Sequence, residues 1–145
     1  MRVVLVVGLV VALAIAACES PTIPTSVFAL TAYDGRPLPV LQAAAATDSV
    51  WLVSSDLTVF TDRATWRTDL QHHRAGQVRD SVSSAEWDYS MRGDSVFLRP
   101  HCVGTEAACA LGYVGTTNGV TLSLAYVSVV PQPVWQFVRT GPLPR

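Results

Sequence analysis

The chain has 145 residues, half of them hydrophobic, with ten basic and eleven acidic residues for a formal net charge of −1. Every basic residue is Arg and none form a run, so the electrostatic footprint of a nucleic-acid binder is missing. The 128 residues that follow the first 17 are enough for one domain with a real core and too few for two.

At the start, Arg2 precedes an unbroken apolar run from Val3 to Ala17. That run is shorter than the ~20 residues a spanning helix needs. A basic start, an apolar middle and small exit residues are the plan of a signal peptide. The exit, Ile15-Ala16-Ala17-Cys18, resembles the lipobox of bacterial lipoproteins. The resemblance implies a signal peptide over 1–17, cleaved before Cys18. It also implies a diacylglycerol on the Cys18 thiol and an acyl chain such as palmitate on the new amino terminus. More than one chain is needed for firm attachment, because each buried CH₂ contributes only ~0.8 kcal/mol. Residues 18–25 then form the lipidated cysteine and a polar, proline-punctuated tether, Glu-Ser-Pro-Thr-Ile-Pro-Thr after the cysteine. It reaches at most ~25 Å, at ~3.3–3.6 Å per residue. The implied location is the bacterial cell envelope. Glu19, where Asp would signal inner-membrane retention, favours the outer membrane.

From residue 26 to 140 the pattern is all-β. Short runs rich in Val, Thr and aromatics fall at 26–33, 48–54, 57–61, 64–73, 78–91, 95–100, 110–116, 120–128 and 133–139. No stretch carries helical periodicity with caps, and the alanines of Gln42 to Ala46 span one turn only. Asn118-Gly119 predicts a type I′ hairpin turn, and Gly93-Asp94 a second hairpin. Asp34-Gly35, Ser55-Asp56 and Asp62-Arg63 punctuate the earlier strands. Short connections make sequence neighbours pair antiparallel, and closing the meander removes its exposed edges. The expected architecture is an up-and-down meander closed into a small barrel of about eight strands, with 141–145 as a tail. Alternation turns Trp87, Tyr89 and Met91 inward, with Glu86, Asp88 and Ser90 outward. Val120, Leu122, Leu124 and Tyr126 turn inward likewise. Trp51, Trp66, Trp87 and Trp135 are assigned to the core.

Cys102 and Cys109 remain as an even pair, which outside the cytoplasm is read as a disulfide. Closing that eight-residue ring contributes at most ~2.5 kcal/mol.

Several segments together resemble the small lipocalin-like bacterial lipoproteins. They are Ala29-Leu-Thr-Ala-Tyr-Asp-Gly-Arg-Pro-Leu-Pro, the turn and strands from Leu57 to Leu70, Trp87-x-Tyr-x-x-x-Gly-Asp-Ser-Val-x-Leu and Val134-Trp-Gln-Phe-Val-Arg. The likeness covers most of 27–139 and implies a calyx-like barrel with no catalytic residues. The chain departs from true lipocalins in its Cys102–Cys109 loop and in lacking a Gly-x-Trp near the first strand.

Trp87, Tyr89, Trp135 and Phe137 are the candidates to line a cavity or fill the core. His72 and His73 are adjacent, but on a strand they face opposite ways, so no metal site is assigned. Glu86 and Asp88 share a face, opposite the aromatics, as solvent-facing charges. No nucleophile elbow, metalloprotease motif, phosphate loop or Cys-x-x-Cys occurs. Arg92-Gly93-Asp94-Ser95 spells an adhesion tetrapeptide, and its Gly-Asp is already explained by the turn. The expectation is a non-enzymatic, lipid-anchored barrel without cofactor. Its partners would be the bilayer, through Cys18, and a small apolar ligand or envelope component. The alternatives are a structural or assembly protein acting through its surface, and a hydrolase whose site is built from loops.

Overall fold

The computed structural model describes residues 25–101, 112–128 and 130–141. Cys18 and the Cys102–Cys109 pair lie outside the described residues. The described chain is all-β and contains no helix. Its strands are β1 (Ser26–Tyr33), β2 (Arg36–Pro37), β3 (Val40–Ala44), β4 (Asp48–Val59), β5 (Arg63–Arg74), β6 (Gln77–Arg92), β7 (Ser95–Pro100), β8 (Tyr113–Thr117), β9 (Thr121–Tyr126) and β10 (Val134–Arg139). From β3 to β10 each strand pairs antiparallel with the next in the chain. β1 pairs β10 on one side, and Ser26 to Ala29 pair Val59 to Asp56 of β4 on the other. That closes an eight-stranded barrel, with β2 and β3 as two strands outside the ring.

Alternation builds the core as the sequence predicts. Leu122 and Leu124 are buried, Val96 and Leu98 face them from β7, and Trp87 and Tyr89 pack against the same cluster. Met91, Val120 and Tyr126 share those faces but lie at strand ends and stay exposed.

Four local readings need correction. Ser55-Asp56 is not a turn: 48–59 is one strand. Ser55 is 2% exposed. Its hydroxyl donates to the Arg67 carbonyl at 2.9 Å and accepts Trp66 Nε1–H at 2.7 Å. A polar pair in a buried strand has the composition of a turn but lacks its geometry. Second, Trp51 is not a core residue. The β4–β5 register shifts between Leu52 and Ser54, so Val53 is a bulge. One extra residue inverts the alternation, which buries Leu52 and turns Trp51 to the outer face. There its Nε1 donates to Ser49 Oγ at 3.2 Å. Third, the Asn118-Gly119 hairpin forms, but not through a type I′ turn. Only Gly119 has positive φ, at 84°. The Asn118 carboxamide oxygen instead accepts from the backbone N–H of Val120 and Thr121, at 2.9 and 2.7 Å. That is an Asx-type turn. The turns with both central φ positive are Asp34-Gly35 (51° and 72°) and Ala75-Gly76 (48° and 78°). Fourth, the stretch between the expected strands 26–33 and 48–54 holds two further strands, β2 and β3, and β3 takes up Ala43 and Ala44 through pairing with β4.

The register gives the barrel two unlike ends. At one end lie Thr25, whose N–H donates to the Val59 carbonyl at 2.7 Å, and the turns at 60–63, 93–94 and 118–120. At the other end β4, β5 and β6 run on past their barrel neighbours. β6 pairs β7 only from Trp87 onward, so its first ten residues, Gln77 to Glu86, extend beyond that pairing by ~33 Å at ~3.3 Å per residue. With β3 alongside, these outer halves form an apron. Its base packs on the core through Leu52, Val40 and Leu70, and its tip is the Ala75-Gly76 turn.

Gly115 sits where β8 meets β9, and a Cβ there would overlap the Ser123 backbone carbonyl. Backbone cannot swing aside as a side chain can. Gly115→Ala is therefore expected to destabilise the barrel by ~2–3 kcal/mol, the upper part of the overpacking range, measured as a lower urea midpoint.

Candidate functional site

Trp66 occupies the centre of the barrel. Tyr113, Trp135, Phe137 and Trp87 surround it, with ring centroids 4.6, 5.0, 5.6 and 6.3 Å away. Tyr113 also meets Trp87 and Tyr126, each at 5.4 Å, and Trp135 meets Tyr33 at 4.8 Å. Most of these contacts are edge-to-face, the favourable arrangement for ring quadrupoles, worth ~0.5–1.5 kcal/mol per pair beyond burial. An eight-stranded barrel is just wide enough to be filled by side chains. At the level of Trp66, rings fill it.

Three of the four predicted lining residues, Trp87, Trp135 and Phe137, thus meet around one tryptophan. Tyr89 packs on the core without joining the rings, its hydroxyl reaching Met91 Sδ at 3.6 Å. Trp66 itself and Tyr113 are the members that the sequence did not single out as a site. Burial pushes the phenol of Tyr113 above its ordinary pKa, and repulsion from Tyr126 and Tyr33 adds to the shift. Burial raises Tyr33 too, reinforced by Asp34, and raises Tyr89 alone. Trp87 Nε1, in this region, is buried and has no hydrogen-bond partner among the described residues.

Among the described residues, clefts lie away from these rings. One, about 630 Å³ and open to solvent, follows the apron tip and is lined by His72, Arg74, Ala75, Gln77, Arg79, Asp80 and Ser81. A shallower one of about 180 Å³ involves Phe60, Arg63, Ala64, Thr65 and Glu86 on the barrel wall.

His72 and His73 face opposite sides of β5. His72 Nε2 lies 2.8 Å from Ser81 Oγ and His73 Nε2 lies 2.9 Å from Gln71 Oε1. His101 Nδ1 lies 2.8 Å from Asp88 Oδ1, with both side chains more than half exposed. Glu86 and Asp88 are exposed on the outer face, and among the described residues no group of three or more metal-ligating side chains converges. On the outer face of the apron, Asp69 accepts from Ser54 Oγ at 2.6 Å and from Arg67 at 3.1 Å, and these bonds hold its carboxyl below the ordinary range, Ser54 first.

Comparison with protein-family models and with curated proteins finds no match. No helix among the described residues is long and apolar enough to cross a membrane.

Two tests follow from the ring cluster. Ser55→Ala leaves the Trp66 N–H buried without an acceptor and is expected to cost ~1–3 kcal/mol in denaturant unfolding. Ser55→Thr, which keeps a hydroxyl, should recover part of that loss. The tyrosines set an alkaline limit. Their folded pKa values are raised, so the stability they contribute is whole below the unfolded value of ~10 and is lost as pH climbs through the folded values. Unfolding free energy measured from pH 8 to 11.5 should be flat and then fall. The fall should shrink in Tyr113→Phe.

Proposed function

We propose that this chain is an extracytoplasmic bacterial lipoprotein, anchored through Cys18, whose non-catalytic barrel is a filled scaffold that presents the apron to another envelope component. The observation that carries this reading is the division of the molecule into unlike ends. The described chain enters at Thr25 beside Val59, and the apron leaves the barrel from the opposite end. A tether joining there sets the barrel on the bilayer with the apron tip pointing away. The apolar run before Cys18 and the short polar stretch after it supply the anchor in this reading.

The rings around Trp66 favour a surface role over an interior one, because an occupied barrel centre has no room for a ligand as large as a lipid chain. Apolar side chains exposed on the apron support the same choice. Val78 and Val82 are 54% and 60% exposed on one face of β6, with Val53 of the bulge also exposed. The lipocalin-like resemblance is compatible with this, as a shared barrel serving a different surface.

A second reading rests on Trp87. Its N–H, unpartnered among the described residues and carried on a ring 5.4 Å from that of Tyr113, favours a small ligand with an acceptor group held at the barrel mouth rather than in its centre. Trp87→Phe keeps the ring stack and removes the donor. Under the surface reading that change is neutral or stabilising, since a desolvated N–H without partner costs ~1–3 kcal/mol. A small molecule that copurifies with the wild type and is lost from this variant would favour the second reading.

The anchor is tested by fractionation and intact mass. The wild-type chain is expected in the membrane fraction, cleaved before Cys18 and heavier by a diacylglycerol and an acyl chain, with two hydrogens fewer if Cys102 and Cys109 are joined. Cys18→Ala should abolish the added mass and the membrane association together. Wild-type protein found soluble and unmodified overturns the reading.

A further inference from the structure

We infer that the apron tip is a binding site for a phosphate-type anion. The inference deepens the proposed role by naming the chemistry of the component that the apron meets, and it does not require the anchor.

The geometry starts from the two-residue Ala75-Gly76 turn, which sets Arg74 opposite Gln77, His72 opposite Arg79 and Leu70 opposite Ser81. Residues directly opposite in an antiparallel pair share a face, and so do residues two apart along a strand. His72, Arg74, Gln77, Arg79 and Ser81 therefore stand on one side of the hairpin, and all five line the open cleft of about 630 Å³. It is rich in donors: two guanidinium forks, a carboxamide, and a hydroxyl already placed 2.8 Å from the His72 ring.

The carboxylates nearby do not neutralise it. Asp48 of β4, opposite Arg74, reaches that guanidinium at 3.5 Å. Asp80 also borders the cleft, but by alternation its side chain belongs to the other face of β6, where Gln71 donates to it at 3.1 Å. Arg79 forms no ion pair among the described residues. One carboxylate thus serves two guanidinium groups on the same face, and the remaining positive charge lies beside neutral donors. Planar guanidinium forks bind tetrahedral phosphate oxygens in pairs, with strong charge-assisted bonds. A phosphate dianion would offer enough acceptors for both arginines and for Gln77.

The phosphate could be borne by a lipid headgroup or by a soluble or polymeric molecule. Topology favours the latter for an anchored chain. The twelve residues of β4 between Val59 and Asp48 put the tip ~40 Å from the entry end, at ~3.3 Å per residue.

The test uses the full-length chain in detergent, titrated calorimetrically with inorganic pyrophosphate. Saturable binding is expected, weakened at least tenfold by Arg79→Gln and by Arg74→Gln. Arg92→Gln, at the opposite end of the barrel, should leave it unchanged. Arg74 also holds Asp48, so folding of the variants is checked by circular dichroism, and Arg79→Gln carries the decision. Arg79→Lys keeps the charge without the fork and should restore affinity only in part. Sedimentation of unlipidated Cys18→Ala protein with phosphatidylglycerol vesicles separates the sources. Pelleting that Arg79→Gln abolishes assigns the phosphate to a headgroup, whereas pyrophosphate binding without pelleting assigns it to a soluble or polymeric molecule. No saturable binding by the wild type, or equal binding by folded Arg79→Gln, overturns the inference. Membrane fractionation of the wild type is read separately, so failure of the anion site and failure of the anchor are told apart.

Discussion

The hydrogen bond from Trp66 to Ser55 is the constraint on which the barrel turns. A ring of eight strands leaves an interior that side chains alone can fill, and a tryptophan at its centre must find an acceptor for its N–H or forfeit the cost of desolvating it. Ser55 supplies that acceptor from the neighbouring strand, and it faces inward with Leu57 and Val59. Strict alternation from Ser55 would carry Val53 and Trp51 inward as well. The bulge at Val53 interrupts it, so that Leu52 follows Ser55 into the core. One inserted residue therefore joins two phases of the same strand. One phase serves the barrel, where β4 pairs β1, and the other serves the base of the apron, where it pairs β3 and meets Val40.

This junction also marks where sequence reading stops. Most strands could be placed to within a few residues because alternation is a local signal, and the bounds of β1 and β7 match their expected spans. Trp87, Trp135 and Phe137 were legible as a group for the same reason, since each shares a face with other large apolar residues on its own strand. Trp51 was not, because a bulge leaves no reliable composition signal and inverts everything beyond it. Ser55-Asp56 misled in the opposite direction. Its residues favour turns in water, yet the tryptophan that needs Ser55 is eleven residues away. The break between the expected strands 64–73 and 78–91 falls at the observed turn, but Ala75-Gly76 carries no turn signal, because alanine rarely takes positive φ, which costs an L-residue ~1–2 kcal/mol.

The apron is a feature of unequal neighbours, which no single segment announces. β6 reads as one long strand, but nothing within it says that β7 joins only at Trp87. Beyond that point the alternation continues with different content. Val78, Asp80 and Val82 stand on one face, and Gln77, Arg79 and Ser81 on the other. A strand that crossed the barrel would bury one of these faces. Neither set is apolar enough to want burial, which is why both stay exposed without leaving a hole in the core.

The two ends also decide between motifs that look equally suggestive in one dimension. Arg92-Gly93-Asp94-Ser95 forms a tight hairpin turn, with Gly93 at φ 58°. That turn shares the end of the barrel where Thr25 enters, along with Arg63 and the Asn118 turn. On a chain tethered through residues just before Thr25, it would face the bilayer at a separation set by a tether of at most ~25 Å, poorly placed for a receptor on another cell. The cationic face of the apron lies at the opposite end. Turn chemistry thus accounts for the Gly-Asp of the tetrapeptide. The uneven pairing of Arg74 and Arg79 with a single carboxylate has no such local explanation, and that difference makes the apron tip the more informative surface.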